Sequence, residues 1–541
     1  ILGVPIKLLG IMPSLAYNII LPVWYSLLIL GAFSIGWNFY KAIPRSRALR
    51  AGERNQHKVL GTAFWVGLAT AVGLGLLGNH GTIKLIIQSY QKIAAGGIPL
   101  EEAAFGQKIT WALQGFMQFL RGTPLPLYPG DWYWYPSRVI PGEPITEFPY
   151  FTFIYGDLHA HLIALPITLF SISWSLSFVL SKTWQKLGKN WMGWLQFGAC
   201  FLLGGLVIGA LRPTNTWDFY TYIVLAGVSV FYSTIRNYKP RLDLNIRHAQ
   251  WLEKIGVATI AALVLFFLAV LMYQPFAYWF GQGYTSVDFW NGSRTPLGAY
   301  FTHWGLFLFI IVSWMAWETY HWMKTTPKSA LEKLEPMKNW VYAVLVIFGV
   351  LLLIMLALGV VVALIAIPIG LWAVILMLRP GRTDGGRFLL FLVGTAILVT
   401  LAVELVYVPG DIGRMNTVFK FYMQAWILFA VCAGVCLIWV LQSIRYWKNS
   451  LATLWEVVLF GLIVSAALFT LMGTTDKIRD RMATEAPHTL DGMAYMPYAY
   501  FYDMGVNMPL IEDYAGILWM QENIEGSPVI LEGQAYEYRW G

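Results

Sequence analysis

Glu147-Phe-Pro-Tyr-Phe-Thr-Phe-Ile-Tyr-Gly-Asp-Leu-His-Ala-His161 leads straight into an apolar run that continues to about residue 181. About 20 apolar residues cross the hydrocarbon core of a bilayer as a helix, and this run is long enough. Its mouth carries one carboxylate and two imidazoles, Asp157, His159 and His161. Ionisable groups at the entrance of a span are costly to bury, so they point to function.

Outward from this stretch the same pattern repeats. The chain has 541 residues, 57% of them hydrophobic and only 12% charged, against about 25% charged in soluble domains. Its mean hydropathy is +0.58. Twelve apolar windows are expected to span, near 14–40, 60–78, 161–181, 191–211, 219–235, 255–275, 303–322, 339–357, 360–378, 388–408, 417–441 and 451–473. The pair from Val341 to Leu378 is too long for one span and is expected to turn near Gly359. The fold class is therefore an all-α polytopic membrane protein.

The net charge of +8 does not point to nucleic acid, because Lys and Arg are spread over short loops between spans. Basic residues near 41–58, 182–189, 236–254, 324–338, 379–387 and 445–448 all fall on one side of the twelve spans. The positive-inside rule makes that side cytoplasmic. The three cysteines, Cys200, Cys432 and Cys436, lie inside apolar runs and read as packing.

Longer segments lie on the other side, at 79–160, 276–302 and 474–541. The first has an amphipathic stretch near 101–121 and an aromatic run at Trp132-Tyr-Trp-Tyr135 that suits a membrane interface. The transmembrane domain is placed at 1–473 and an extracytoplasmic segment at 474–541. In the latter a helix over 513–523 and a strand at Val529-Ile-Leu-Glu532 begin a small α/β lobe.

Three polar clusters share the outer side, a coincidence the span assignment did not impose. The first is Asp157, His159 and His161. An extended backbone places Asp157, His159 and His161 together, whereas a helix pairs Asp157 with His161 alone. The set suits acid–base work or a divalent metal ion; the bland alternative is an Asp cap with interfacial histidines. The second is Arg212-Pro-Thr-Asn-Thr-Trp-Asp218, where Asn215 or Thr216 caps the next span, Trp217 anchors an interface and Arg212 pairs with Asp218, or the group binds substrate. The third is Asp411-Ile-Gly-Arg-Met-Asn-Thr-Val-Phe-Lys-Phe-Tyr422, with Glu404 one to two turns earlier. Arg414 and Lys420 flank Asn416 at a helix N-terminus, an arrangement that suits phosphate. Gln424 shares a face with Lys420, where a lipid phosphate would sit; the alternative is a snorkelling Lys and a cap.

These motifs, with Pro136-Ser-Arg-Val-Ile-Pro141 and Tyr538-Arg-Trp-Gly541, resemble the YYY membrane proteins of bacteria such as Chloroflexi and of archaea. The resemblance covers nearly the whole chain. It implies a distant likeness to GT-C glycosyltransferases, which take sugar from a polyprenyl-phosphate donor on the outer membrane face. It also implies that the tyrosine triplet and an acidic outer loop lie upstream of Ile1, so the sequence is expected to be a piece of a longer chain. On this reading Asp157 with His159 or His161 activates an acceptor or holds a divalent ion. Arg414 and Lys420 neutralise the donor phosphate, and Asp218, Asn215 and Arg138 orient sugar or acceptor. Two other classes stay open. One is a transporter, although the clusters sit at a rim rather than the midplane. The other is an accessory subunit of a membrane complex, suggested by the 26 tryptophans.

Overall fold

A computed structural model describes residues 2–42, 56–142, 144–181, 184, 191–240, 247–281, 286–410, 412–503, 505–526 and 528–531. Long apolar stretches without water leave the backbone one economical choice, the helix, in which each segment satisfies its own N–H and C=O groups. The helices are α1 (Pro13–Ala42), α2 (Gln56–Gly75), α3 (Gly81–Ala94), α4 (Phe105–Leu120), α5 (Pro149–Tyr155), α6 (Ala160–Leu180), α7 (Trp191–Gly209), α8 (Thr216–Asn237) and α9 (Arg247–Leu271). They continue as α10 (Gln274–Trp279), α11 (Leu297–Thr325), α12 (Lys338–Ala357), α13 (Ala363–Leu378), α14 (Asp384–Leu405), α15 (Arg414–Ser443), α16 (Asn449–Leu468) and α17 (Ile511–Asn523).

Ten helices among the described residues are long and apolar enough to cross a membrane, and the shorter apolar stretches Leu60–Gly75 and Ala363–Leu378 fall on two further expected spans. The chain is an all-α polytopic membrane protein. The expected turn at Gly359 is present, with a left-handed φ of 77° that a side chain would strain. The amphipathic stretch near 101–121 is α4. A second amphipathic helix, α3, precedes it and was not expected. The two pack so closely that a Cβ on Gly115 would collide with the Tyr90 carbonyl.

Two compact units divide the chain: Tyr25–Lys477, and Ile1–Trp24 with Ile478–Gly541. This differs from the expected division after residue 473. The last apolar helix runs on through a π turn, Phe469–Gly473, into Thr474–Arg481. In the smaller unit the Gly492 amide donates to the Ser14 carbonyl at 3.0 Å, and Asn18 Nδ2 donates to the Leu490 carbonyl at 3.1 Å. Its helix α17 matches the expected one. The strand expected at 529–532 does not form: residues 528–531 are irregular, and Glu532 lies outside the described residues. The strands are instead Tyr500–Asp503 and Val506–Pro509, an antiparallel pair with Tyr500 opposite Pro509. Among the described residues no strand pairs with Val529–Leu531, and a lone strand is not stable by itself.

In the larger unit α15 is the axis. Every residue from Tyr422 to Cys436 is buried, and α2, α11 and α14 pack around it. Small residues allow the closest approaches: a Cβ on Gly434 would lie 2.7 Å from the Thr70 backbone nitrogen. By contrast α12, strongly apolar, is only 6% buried over its span, which suits a lipid-facing position.

Loop contacts sort the helix ends. At one end Asp288–Phe289 pairs with Val406–Tyr407, His80 N donates to the Thr302 carbonyl, and Gly78 N to the Ala466 carbonyl. At the other, Arg382 and Arg379 bind Glu318, and Tyr232 and Arg387 meet Asp384. Arg379, Arg382 and Arg387, one of the expected basic loops, lie at this second end.

Candidate functional site

The opening motif folds in three pieces. Phe148-Pro149 starts α5, Gly156 closes it in the left-handed conformation (φ 79°), and residues 157–159 run extended before α6 begins at Ala160. Phe148 fastens the motif to the axis: it is fully buried, stacks on Trp426 at 5.1 Å and meets Phe469 edge-on at 4.6 Å.

The extended stretch turns Asp157 and His159 towards each other, with Nδ1 3.2 Å from Oδ2 and both side chains half exposed. His161 is one residue into α6 and turns inward. It is buried, its ring 5.0 Å from that of His159 and 4.5 Å from Phe419. Its Nε2 stands 3.7 Å from Glu147 Oε2, an ion-pair distance rather than a hydrogen bond. Among the described residues neither ring nitrogen has a hydrogen-bond partner. Glu147 also accepts from the Thr152 hydroxyl at 3.2 Å.

Lys420 comes from α15. It is 5% exposed, its ammonium sits 4.4 Å over the Phe419 ring, and its charge acts on Asp157, His161 and Asp218 alike. The Asp157 carboxyl is held below its usual range, first by the His159 hydrogen bond and then by the positive charge of His159, His161 and Lys420, against an opposing effect of burial.

Asp218 is buried in the first turn of α8 and accepts from Asn215 Nδ2 at 2.9 Å. Asn215 stands at the N-cap position, but its side chain is used on Asp218 rather than on the helix amides. Thr216 bonds back to the Arg212 carbonyl. The expected Arg212–Asp218 pair therefore does not form. Gln424 is held on both sides, accepting from the Thr221 hydroxyl and donating to the Trp217 carbonyl at 3.1 Å, while its amide also reaches Asp218. The Trp217 ring meets Phe421 edge-on at 5.9 Å.

Glu147, Asp157, His159, His161, Asn215, Asp218, Lys420 and Gln424 thus form one neighbourhood, drawn from segments far apart in sequence.

Arg414 belongs elsewhere. Residues six apart on a helix project about 120° apart, so Arg414 and Lys420 leave α15 in different directions. Arg414 Nη2 pairs with Glu404 Oε1 at 3.1 Å, with both side chains nearly sealed from solvent, and its guanidinium lies 4.9 Å over Trp290. Glu404 also accepts from the Thr295 amide at 3.0 Å and from its hydroxyl, and Arg294 bonds to the Glu404 carbonyl. The single anion-binding wall expected from Arg414 with Lys420 is thereby split into two clusters. Asn416 is buried near the start of α15. Arg138 lies half-buried over the Trp134 ring at 4.3 Å and bonds to Ser137. Asp411 lies outside the described residues.

Among the described residues no group of three or more His, Cys, Asp or Glu is placed to hold a metal ion. Asp157 and His159 face each other, but His161 turns to Glu147, so the three do not converge as a ligand set. No step is assigned to a metal.

Two features escaped the sequence. Glu147 was read only as part of the motif, although it opens it. Asn79, His80 and His303 also meet: Asn79 Nδ2 lies 3.1 Å from His303 Nδ1 and donates to the Pro136 carbonyl at 2.7 Å, and His80 Nδ1 is 2.8 Å from the Ser465 hydroxyl. Asn79-His80 at the mouth of α2 was the available signal, by the reasoning applied to Asp157.

Fold and site together define an integral membrane protein with a polar, charged cluster at one end of a helical bundle. A family model described as uncharacterised membrane protein (DUF2298) matches residues 1–429, and the chain belongs to that family. No curated protein and no solved structure matches it.

Proposed function

We propose that this protein is a GT-C-like membrane glycosyltransferase that takes a sugar from a polyprenyl-phosphate donor on the outer membrane face. The observation that carries the reading is the Asp157–His159 pair, half exposed and held at 3.2 Å, under the field of the buried Lys420 ammonium. A half-open carboxylate–imidazole pair has the chemistry of a general base. A buried cation next to it suits a leaving phosphate.

In the proposed reaction an acceptor hydroxyl attacks the anomeric carbon. Its proton passes to the Asp157–His159 pair as the new C–O bond forms. The bond from carbon to the donor's phosphate oxygen breaks, its electron pair stays on the lipid phosphate, and Lys420 balances that charge. Asn215, Asp218 and Gln424 offer the donors and acceptors that sugar hydroxyls require. Arg414 is assigned to the scaffold. The basic residues Arg379, Arg382 and Arg387 at the opposite end support an extracytoplasmic site in a prokaryotic plasma membrane.

The test is sugar transfer from a polyprenyl-phosphate donor by the full chain in proteoliposomes. Asp157→Asn is expected to lower transfer by about 10²–10⁴-fold, the range a general base contributes, with donor binding unchanged. Lys420→Met is expected to weaken donor binding itself. Transfer at the wild-type rate by Asp157→Asn overturns the assignment, and Asp157-dependent solute counterflow without any transfer replaces it with transport.

A further inference from the structure

Arg212, expected to pair with Asp218, has no partner for its guanidinium among the described residues. Its Nη1 is buried and makes no hydrogen bond. Leaving such a group without a counter-charge is unfavourable, because burial removes water without replacing it. Arg212 does not face packed protein. It lines a cavity of about 360 Å³ with Thr216, Gln274, Phe276, Ala277 and Phe280, within the range of about 300–1,000 Å³ typical of small-molecule sites.

We infer that this cavity is a second binding site, separate from the Asp157–Lys420 neighbourhood, and that it takes a phosphate group, chiefly the headgroup phosphate of a membrane phospholipid. Arg212 is the one charged residue on the cavity wall among the described residues, so the site favours an anion. Its planar fork matches two phosphate oxygens. Thr216 and Gln274 add neutral polar groups on the same wall. Thr216 already donates its hydroxyl to the Arg212 carbonyl, so it remains available there as an acceptor for a phosphate or glycerol hydroxyl.

A lipid is favoured over a free ion by what surrounds the opening. The cavity lies beside α10, at the end of the membrane helix α9. Next to it Tyr278 and Trp279 are 75% and 84% exposed and Phe280 is 48% exposed. Exposed aromatic side chains at the end of a span mark the headgroup level of a bilayer. Phe276 and Phe280 give the cavity an apolar side against which a glycerol backbone or the start of an acyl chain can rest.

The test follows thermal unfolding of the purified full chain in detergent, titrated separately with phosphatidic acid, phosphatidylcholine and inorganic phosphate. Phosphatidic acid is expected to raise the unfolding midpoint and phosphatidylcholine to raise it less. Arg212→Gln is expected to weaken the apparent affinity for phosphatidic acid by about tenfold or more, as loss of a charge-assisted hydrogen bond implies. Ala277→Phe fills the cavity with the guanidinium intact and is expected to abolish the same response, which serves if Arg212→Gln does not fold. An Arg212-dependent response to inorganic phosphate alone identifies a free anion as the source. Equal stabilisation of wild type and both variants overturns the site. Lys420→Met and Asp157→Asn are expected to keep the phosphatidic acid response, so its loss in Arg212→Gln is distinct from failure of the transferase reading.

Discussion

Two acid–base clusters stand at the same end of the larger unit, and they are built on opposite principles. Around Glu404, Arg414 is sealed from solvent, and the carboxylate is also met by Thr295. Around Asp157, the close polar partner among the described residues is His159, at a half-exposed surface, and the charge of Lys420 adds to it. Burial and three polar contacts close the Glu404 carboxylate against solvent, although Arg414 Nε is buried without a hydrogen-bond partner among the described residues; the pair suits a scaffold role. Asp157 and His159, half exposed beside a buried cation, keep the solvent access that the proposed role requires. Residue type alone does not separate the two; the number of partners does.

Breaking the closed cluster is expected to have the largest effect on stability. Arg414→Met leaves the Glu404 carboxylate buried without its cation and is expected to cost about 3–5 kcal/mol in reversible unfolding. Replacing Glu404 with Leu in the same chain is expected to restore part of that loss, since the stranded charge is removed. A stability change below about 1 kcal/mol for Arg414→Met would erase the contrast between the clusters.

His80 lies between the two extremes, half-buried and hydrogen-bonded to Ser465 but without a counter-charge. Burial pushes its imidazole down from 6.5 to about 4. Between those values the unfolded chain binds the proton and the folded chain does not. Stability is therefore expected to fall as the pH drops from 6.5 towards 4. His80→Gln is expected to flatten the thermal midpoint over that window; an unchanged slope would mean His80 is not held neutral.

The smallest stability effect is expected at the open pair. Asp157→Asn keeps the side chain's shape at a half-exposed position and is expected to change unfolding by no more than about 0.5 kcal/mol. A much larger loss would move Asp157 to the scaffold side of the comparison and weaken the catalytic assignment with it.

Several decisions were legible from residues alone. Apolar runs of bilayer length predict the helices, because lipid offers the backbone no other partner, and Gly359 marks its turn by needing a positive φ. The same runs predict that residues 157–161, 212–218 and 411–422 share one side, since the number of crossings between them is determined by hydropathy. Period and length do not say which face of a helix meets which neighbour. The contact of Arg414 with Glu404, the separation of Arg414 from Lys420, and the turn of His161 towards Glu147 were set by helix rotation and packing around α15. Residues 500–503 and 506–509 pair as strands, whereas the apolar run at 529–531 is irregular and has no strand partner among the described residues. The sequence by itself therefore determined a polytopic helical membrane protein with its polar motifs at one end. Only the tertiary structure decided which charges are closed into the frame and which remain available, because that depends on burial and on partners brought from distant segments.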